Sequence, residues 1–120
     1  MWNNKSLNLQ YFTKKEFVMG KINVFNKMNP TFLLQLDELR GLVDEPLTVK
    51  SSYRDKKYNK KVGGSVESKH MESIAVDLHC DNGTLRGKIV HHALNLGMSV
   101  GVSGNFIHVD SRDKQILFTY

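Results

Sequence analysis

Hydrophobic and polar positions follow two different periods along this chain, and the changes of period outline its elements. After Asn29-Pro30, apolar side chains at Leu33, Leu36, Leu39 and Val43 recur every three or four residues, which lines one face of a helix. Asn29 is placed to cap it, and Pro30 stands in the first turn, where a missing N–H costs nothing. The pattern therefore predicts a core-packed helix from Pro30 that ends between Gly41 and Asp44. Upstream, Thr13-Lys14-Lys15-Glu16 has capping-box spacing and predicts a short helix through Phe17 and Val18. Residues 1–10 precede these signals and are expected as a flexible N-terminal arm.

After Pro46 the period drops to two. Leu47-Thr48-Val49-Lys50-Ser51 reads as a strand, and so does Ile74-Ala75-Val76-Asp77-Leu78-His79-Cys80, with Ile74, Val76 and Leu78 on one face and Ala75, Asp77 and His79 on the other. Between them, residues 52–68 are polar, contain Gly63-Gly64 and are too long for a turn, which predicts a functional loop with a helical turn inside it. Asp81-Asn82-Gly83-Thr84 breaks the second strand. A helix follows, with Leu85, Ile89, Ala93 and Leu96 on one side and Gly97 as its stop. The remainder reads as a strand meander over residues 98–102, 106–110 and 116–120, turning at Ser103-Gly104-Asn105. With helices early and strands late, the expected architecture is a single α+β domain, its helices packed on one face of a small, mainly antiparallel sheet.

Composition narrows the chemistry. A chain of 120 residues, 40% apolar and 24% charged, has the balance of one globular domain with a modest core. Cys80 is the only cysteine, so no intramolecular disulfide forms, and stability must come from packing, a metal or a partner. No apolar run approaches the roughly 18 to 20 residues of a membrane span. The first residues lack the apolar core of a secretory signal, so synthesis in the cytoplasm is expected, with any route outward supplied by something else. The 17 Lys and Arg against 12 Asp and Glu leave a net charge of +5. Much of that excess lies in residues 54–61, which read as a solvated face. Nucleic acid is therefore a subordinate partner, and an anionic polymer accounts for the same charge.

Candidate chemistry comes from the strand faces. Asp77 points away from the core-facing set of its strand, and His108 points away from Ile107 and Val109 on a later one, so both can project onto one face of the sheet. His70, in the loop entering the Asp77 strand, can reach back over it. Two imidazoles and one carboxylate suit Zn²⁺, and three protein ligands leave a fourth position for water, the arrangement of a catalytic site. Amide hydrolysis is the natural chemistry of such a site. His79, near the Asp81 turn, reads as solvent-facing, His91 and His92 point about 100° apart on a helix, and Cys80 reads as a small core or strand-end residue.

The sequence Ser68-Lys69-His70-Met71-Glu72-Ser73-Ile74-Ala75-Val76-Asp77 closely resembles the S-x-H-x-x-G-x-A-x-D motif of the zinc D-alanyl-D-alanine carboxypeptidases, and Phe106-Ile107-His108-Val109-Asp110 resembles that family's second motif, H-x-D on an apolar strand. Ser51-Ser52-Tyr53-Arg54, followed by Tyr58-Asn59 and Val62-Gly63-Gly64, is similar to a segment of the small, often phage-encoded branch. The likeness runs from about Tyr11 to Arg112. It implies one zinc ion per chain held by His70, Asp77 and His108, with Arg54 gripping a substrate carboxylate or backbone oxygen and Ser68 bonding the same end of the substrate. A guanidinium suits that task because it grips a carboxylate with two parallel hydrogen bonds. The implied fold is that shared with the hedgehog signalling domain. The implied activity is hydrolysis of peptidoglycan peptides in the cell wall, as a carboxypeptidase or an endolysin-type endopeptidase.

Two positions depart from the pattern. Ser73 replaces the motif glycine, which a loop absorbs unless its backbone needs a positive φ. Ser103, Gly104, Asn105 and Phe106 stand where many relatives place a glutamate or histidine that works on the attacking water, and none of them is a competent base. Asp110 is the nearest carboxylate, on the same strand face as His108, and is expected either to orient that ligand or to reach the water. Glu72, beside His70, is a further candidate. The missing base motivates an alternative reading, a zinc-containing binding module of the same fold that does not hydrolyse.

Overall fold

The computed structural model describes residues 2–120. In chain order its elements are β1 (Val18–Met19), β2 (Ile22–Asn23), α1 (Pro30–Val43), β3 (Val49–Ser51), α2 (Lys56–Lys61), β4 (Ala75–His79), α3 (Gly83–Asn95), β5 (Ser99–Val102), β6 (Phe106–Asp110) and β7 (Leu117–Thr119). Single 3-10 turns stand at Lys14–Glu16, Phe25–Lys27 and Lys69–Glu72. The fold is α+β.

Both long helices start where their capping residues put them. The Asn29 carboxamide oxygen accepts from the N–H groups of Thr31 and Phe32, and α1 stops at Asp44, whose φ of 58° lies in the left-handed region. Asn82 caps α3 in the same way, accepting from Leu85 N at 2.8 Å. Leu33, Leu36 and Leu39 of α1 and Ile89 and Ala93 of α3 are completely buried. The two helices pack on each other, and α3 lies on β5 and β6, over the face carrying Val76, Leu78, Val100, Ile107 and Val109. The opposite face is left open, and the polar residues of β4 and β6 occupy it. No described helix is long and apolar enough to cross a membrane.

The five-stranded sheet has the order β3-β4-β6-β5-β7. Its last pair corrects the expected meander, because β7 lies parallel to β5, with Val100 opposite Leu117. β6 already pairs with β4 on one side and β5 on the other, so the last strand cannot pair with β6 and joins the outer edge of β5, beside the end of β6 from which the chain arrives. The chain crosses the start of β5 after Asp110, held there by Gln115 Nε2 donating to Leu94 and Met98 carbonyls and by Ile116 N donating to Ser99 Oγ. Turning back at that same end makes β7 antiparallel to β6 and therefore parallel to β5.

The N-terminal third differs from expectation twice. The capping box forms, with the Glu16 carboxylate accepting from Thr13 N at 2.6 Å, but it supports only one 3-10 turn. Phe17 is extended and fully buried against Phe12 and Phe25, and Val18 opens the β1–β2 hairpin; burial of that ring outweighs continuation of the helix. Residues 2–10, expected as an arm, are tied to the domain. Asn4, 2% exposed, donates from Nδ2 to the Phe25 and Met28 carbonyls at 2.8 Å each, and the Asp37 carboxylate of α1 accepts from the N–H groups of Gln10, Tyr11 and Phe12 at 2.7, 2.9 and 3.2 Å. Replacing Asp37 by alanine strands three backbone donors and should cost about 2–4 kcal/mol of stability, read by urea unfolding; a loss under about 0.5 kcal/mol would refute this clamp.

Candidate metal centre

The site grows out of sheet register. Asp77 and His108 are directly opposed across β4 and β6, so both side chains leave the same face side by side. Gly101 of β5 flanks His108 on the other side. A β-carbon at Gly101 would lie 2.5 Å from the Phe118 ring, so the bare backbone there lets an aromatic layer of Phe106, Phe118 and Tyr120 settle beside His108.

His70 arrives on the Lys69–Glu72 turn, which Ser68 starts by accepting from His70 N at 3.2 Å. The turn ends on Ser73 at φ 68°. That is the left-handed backbone in which the motif glycine is strain-free, so serine holds it at a cost of about 1–2 kcal/mol. The same turn is anchored by Asn29 N donating to Ser73 O.

Hydrogen bonds on the far side of each ring settle its tautomer. His70 Nδ1–H donates to Ser52 O at 2.8 Å, which turns the Nε2 lone pair toward Asp77, 3.2 Å from Oδ1. His108 Nε2–H donates to Asp110 Oδ2 at 2.7 Å, which turns Nδ1 to the same Oδ1 at 3.1 Å. Three buried electron-pair donors thus point at one place, their ligating atoms within 4.8 Å of one another. Such a convergence needs a cation at its centre, either protons on the rings or a metal ion. Two imidazole nitrogens and a carboxylate oxygen are donors that fit zinc, and both rings carry the outer hydrogen bonds that metal-binding histidines usually make.

Electrostatics follows from the same contacts. At Asp77 burial favours the neutral acid, but hydrogen bonds and charge from His108 and His70 outweigh it and hold the carboxyl well below its ordinary 3.8. Asp110 is likewise depressed, since His108 and Arg112 outweigh its burial. His108 is raised above 6.5, because Asp110 and Asp77 together overcome a burial that opposes its charge. A raised histidine stabilises the fold below its unfolded value and stops doing so as pH climbs through the folded value. Depressed carboxylates stabilise above 3.8 and fail only as pH falls through their folded values. Metal-free protein should therefore be most stable between about pH 4 and about pH 6.5 and soften on the alkaline side, while zinc affinity climbs with pH until His108 has lost its proton. Melting of chelator-treated protein and zinc titration across that range check this; a metal-free melting temperature flat from about pH 6 to about pH 9 would contradict it.

The other expected residues divide. Arg54 reaches the cluster: Nη2 lies 3.2 Å from Asp77 Oδ2, while Nε donates to Ser51 Oγ and Nη1 to Asn59 Oδ1. It grips the carboxylate that faces the two histidines and keeps two N–H groups for a ligand. Arg54, Ser68, His70, Asp77 and His108 all line one open cavity of about 770 Å³. Asp110 does not. It is fully buried behind His108, held by Arg112 through Nε at 2.9 Å and Nη2 at 2.6 Å, so it stands where a carboxylate orients an imidazole. Glu72 is paired with Lys69 at 2.7 Å, His79 is exposed beside Asp81, and Cys80 is buried.

Sequence reasoning gave no role to Arg112 or Asn59 and missed the aromatic layer. Arg112 had a local signal, a cation two residues past Asp110. Asn59 is 3% exposed and bridges Arg54 to the Ser65 carbonyl, a burial that its lysine neighbours conceal.

An α+β sheet thus carries a His-Asp-His cluster on its open face, at the floor of a cavity, which is a donor set able to bind a divalent metal ion. The chain matches the Peptidase M15 family over residues 7–110 and belongs to it. M15 peptidases are zinc-dependent, and the buried His70, Asp77 and His108 supply a group able to bind the metal. No curated protein matches the chain.

Proposed function

We propose that the protein is a zinc-dependent peptidase that hydrolyses peptidoglycan peptides in the cell wall. The observation that carries this reading is the convergence of His70 Nε2, His108 Nδ1 and Asp77 Oδ1 on the cavity floor. His70, Asp77 and His108 would hold the zinc, which when bound would supply a Lewis acid for a scissile carbonyl and lower the pKa of a water toward neutral. The chain's own residues do the rest. Arg54 offers its two remaining N–H groups to an anionic end of the substrate while holding Asp77 in place. Ser68, at the mouth of the His70 turn, bonds the same end. Tyr120 lines the cavity, and its hydroxyl is a hydrogen-bond donor at working pH. Asp110 accepts from His108 Nε2 and so fixes the ring whose Nδ1 faces Asp77 at the metal position.

A second reading, a wall- or protein-binding module that does not hydrolyse, is favoured by one observation. Ser103, Gly104 and Asn105 do not line the cavity, whose carboxylates are Asp77 and Glu67. Incubating the zinc-loaded protein with purified peptidoglycan separates the readings. Free D-alanine marks a carboxypeptidase and new amino groups on the stem or cross-bridge mark an endopeptidase. Neither product, with one zinc bound per chain, leaves the binding module.

A further inference from the structure

We infer that the outer face of α2 is a docking surface for a polyanion with phosphodiester repeats, and that it holds such a wall polymer beside the cavity; the choice of a wall polymer rests on the function proposed above. The helix reads Lys56-Lys57-Tyr58-Asn59-Lys60-Lys61. At about 100° per residue, its four lysines fall within an arc of about 140° and Tyr58 and Asn59 fall on the opposite side. The structure follows that division. All four lysines are exposed, Asn59 is buried, and Tyr58 lines the cavity. Among the described residues none of the four lysines is ion-paired, whereas Lys69 and Lys88 each have a glutamate.

Two lysine pairs, 56/60 and 57/61, stand one turn apart, about 6 Å along the axis, and repel each other at a cost of a few tenths of a kcal/mol each. Among the described residues no ion pair offsets that repulsion, whereas a string of external phosphates would. The platform is also fixed. Asp55 accepts from Tyr58 N at 2.7 Å to start the helix, and Asn59 ties it to Arg54 and to Ser65 O. A polymer on the lysine face therefore lies at a set distance from the cavity that the helix's other face walls. Ammonium groups act on phosphate as point charges and need no fixed fork, which suits a flexible chain better than a single carboxylate. Duplex DNA fits less well, since a six-residue helix with only lysines outward has nothing to read base edges.

The test measures binding of the full chain, without added metal, to poly(glycerol phosphate) as a function of salt. Expected is a logarithmic salt slope of roughly −3, near the value for four neutralised phosphates. A variant with all four lysines changed to glutamine should bind at least about tenfold more weakly with a slope near zero, while one with four arginines keeps binding. Melting of both variants checks folding, and hydrolysis of a small soluble peptide should be unchanged. Equal binding by wild type and the glutamine variant, or tighter binding to duplex DNA or polyglutamate than to poly(glycerol phosphate), would overturn the inference. Because no metal or hydrolysis enters the measurement, polymer binding without peptidase activity would sink the enzymatic reading and leave this surface standing.

Discussion

Under the proposed function, exchanging Asp77 for asparagine will abolish zinc binding and hydrolysis, lowering kcat/KM on a peptidoglycan peptide by at least about three orders of magnitude, roughly 4 kcal/mol of barrier. The substitution keeps size and shape, so the loss comes from charge. Asp77 is the one anion among the three converging donors, and its second oxygen is the anchor of Arg54 at 3.2 Å. An amide leaves two buried imidazoles facing a neutral group and takes the counter-charge from Arg54, which Ser51 Oγ and Asn59 Oδ1 still hold. The metal-free variant carries its own signature. His108 loses one of the two carboxylates that raise it, so the alkaline softening should begin at lower pH than in the wild type. Elemental analysis should fall from one zinc per chain to none, and Asp81→Asn, an exposed carboxylate outside the cluster, should retain both metal and turnover. Full zinc occupancy and unchanged hydrolysis in Asp77→Asn would move the active centre elsewhere.

The structure explains why some of this was legible from sequence and some was not. Asn29, Asn82 and the Thr13/Glu16 pair act on amides within three residues, so their signals are complete in the local sequence. The outward placement of Asp77 and His108 needs only the two-residue period of a strand. Their adjacency needs β4 to pair with β6 across the intervening α3 and β5, a fact of topology that the family motifs carried and periodicity did not. Phe17 was misplaced because a tertiary pocket between Phe12 and Phe25 outbids helix continuation. Asn4 and Asp37 were silent because their partners are backbone groups more than 20 residues away. The parallel β7 followed from the connection after Asp110, which is held across the start of β5 by contacts of Gln115 and Ile116 that periodicity does not carry.

Removing the charge of Asp110 will weaken zinc binding about 10- to 100-fold, and Arg112→Gln will reproduce a part of that loss. The line of contacts runs from Arg112 Nη2 to Asp110 Oδ2 at 2.6 Å and from that oxygen to His108 Nε2 at 2.7 Å, with His108 Nδ1 facing Asp77. A carboxylate at this point selects the tautomer in which Nδ1 has a free lone pair and strengthens that nitrogen as a donor. In Asp110→Asn the amide oxygen still accepts from Nε2–H but without charge, and the Arg112 guanidinium loses its counter-ion, so Asp110→Ala should be worse than Asp110→Asn. Because all three groups belong to one line, the Asp110→Asn/Arg112→Gln double variant should lose less than the sum of the single losses. Zinc competition against a chromogenic chelator reads these affinities directly. Turnover measured at saturating zinc distinguishes the role assigned here from that of a base: a group that acts through His108 is largely rescued by excess metal, whereas a base is not. Unchanged zinc affinity with a thousandfold loss of kcat in Asp110→Asn would show that this carboxylate works on water, and would require it to leave the buried position it holds behind the histidine.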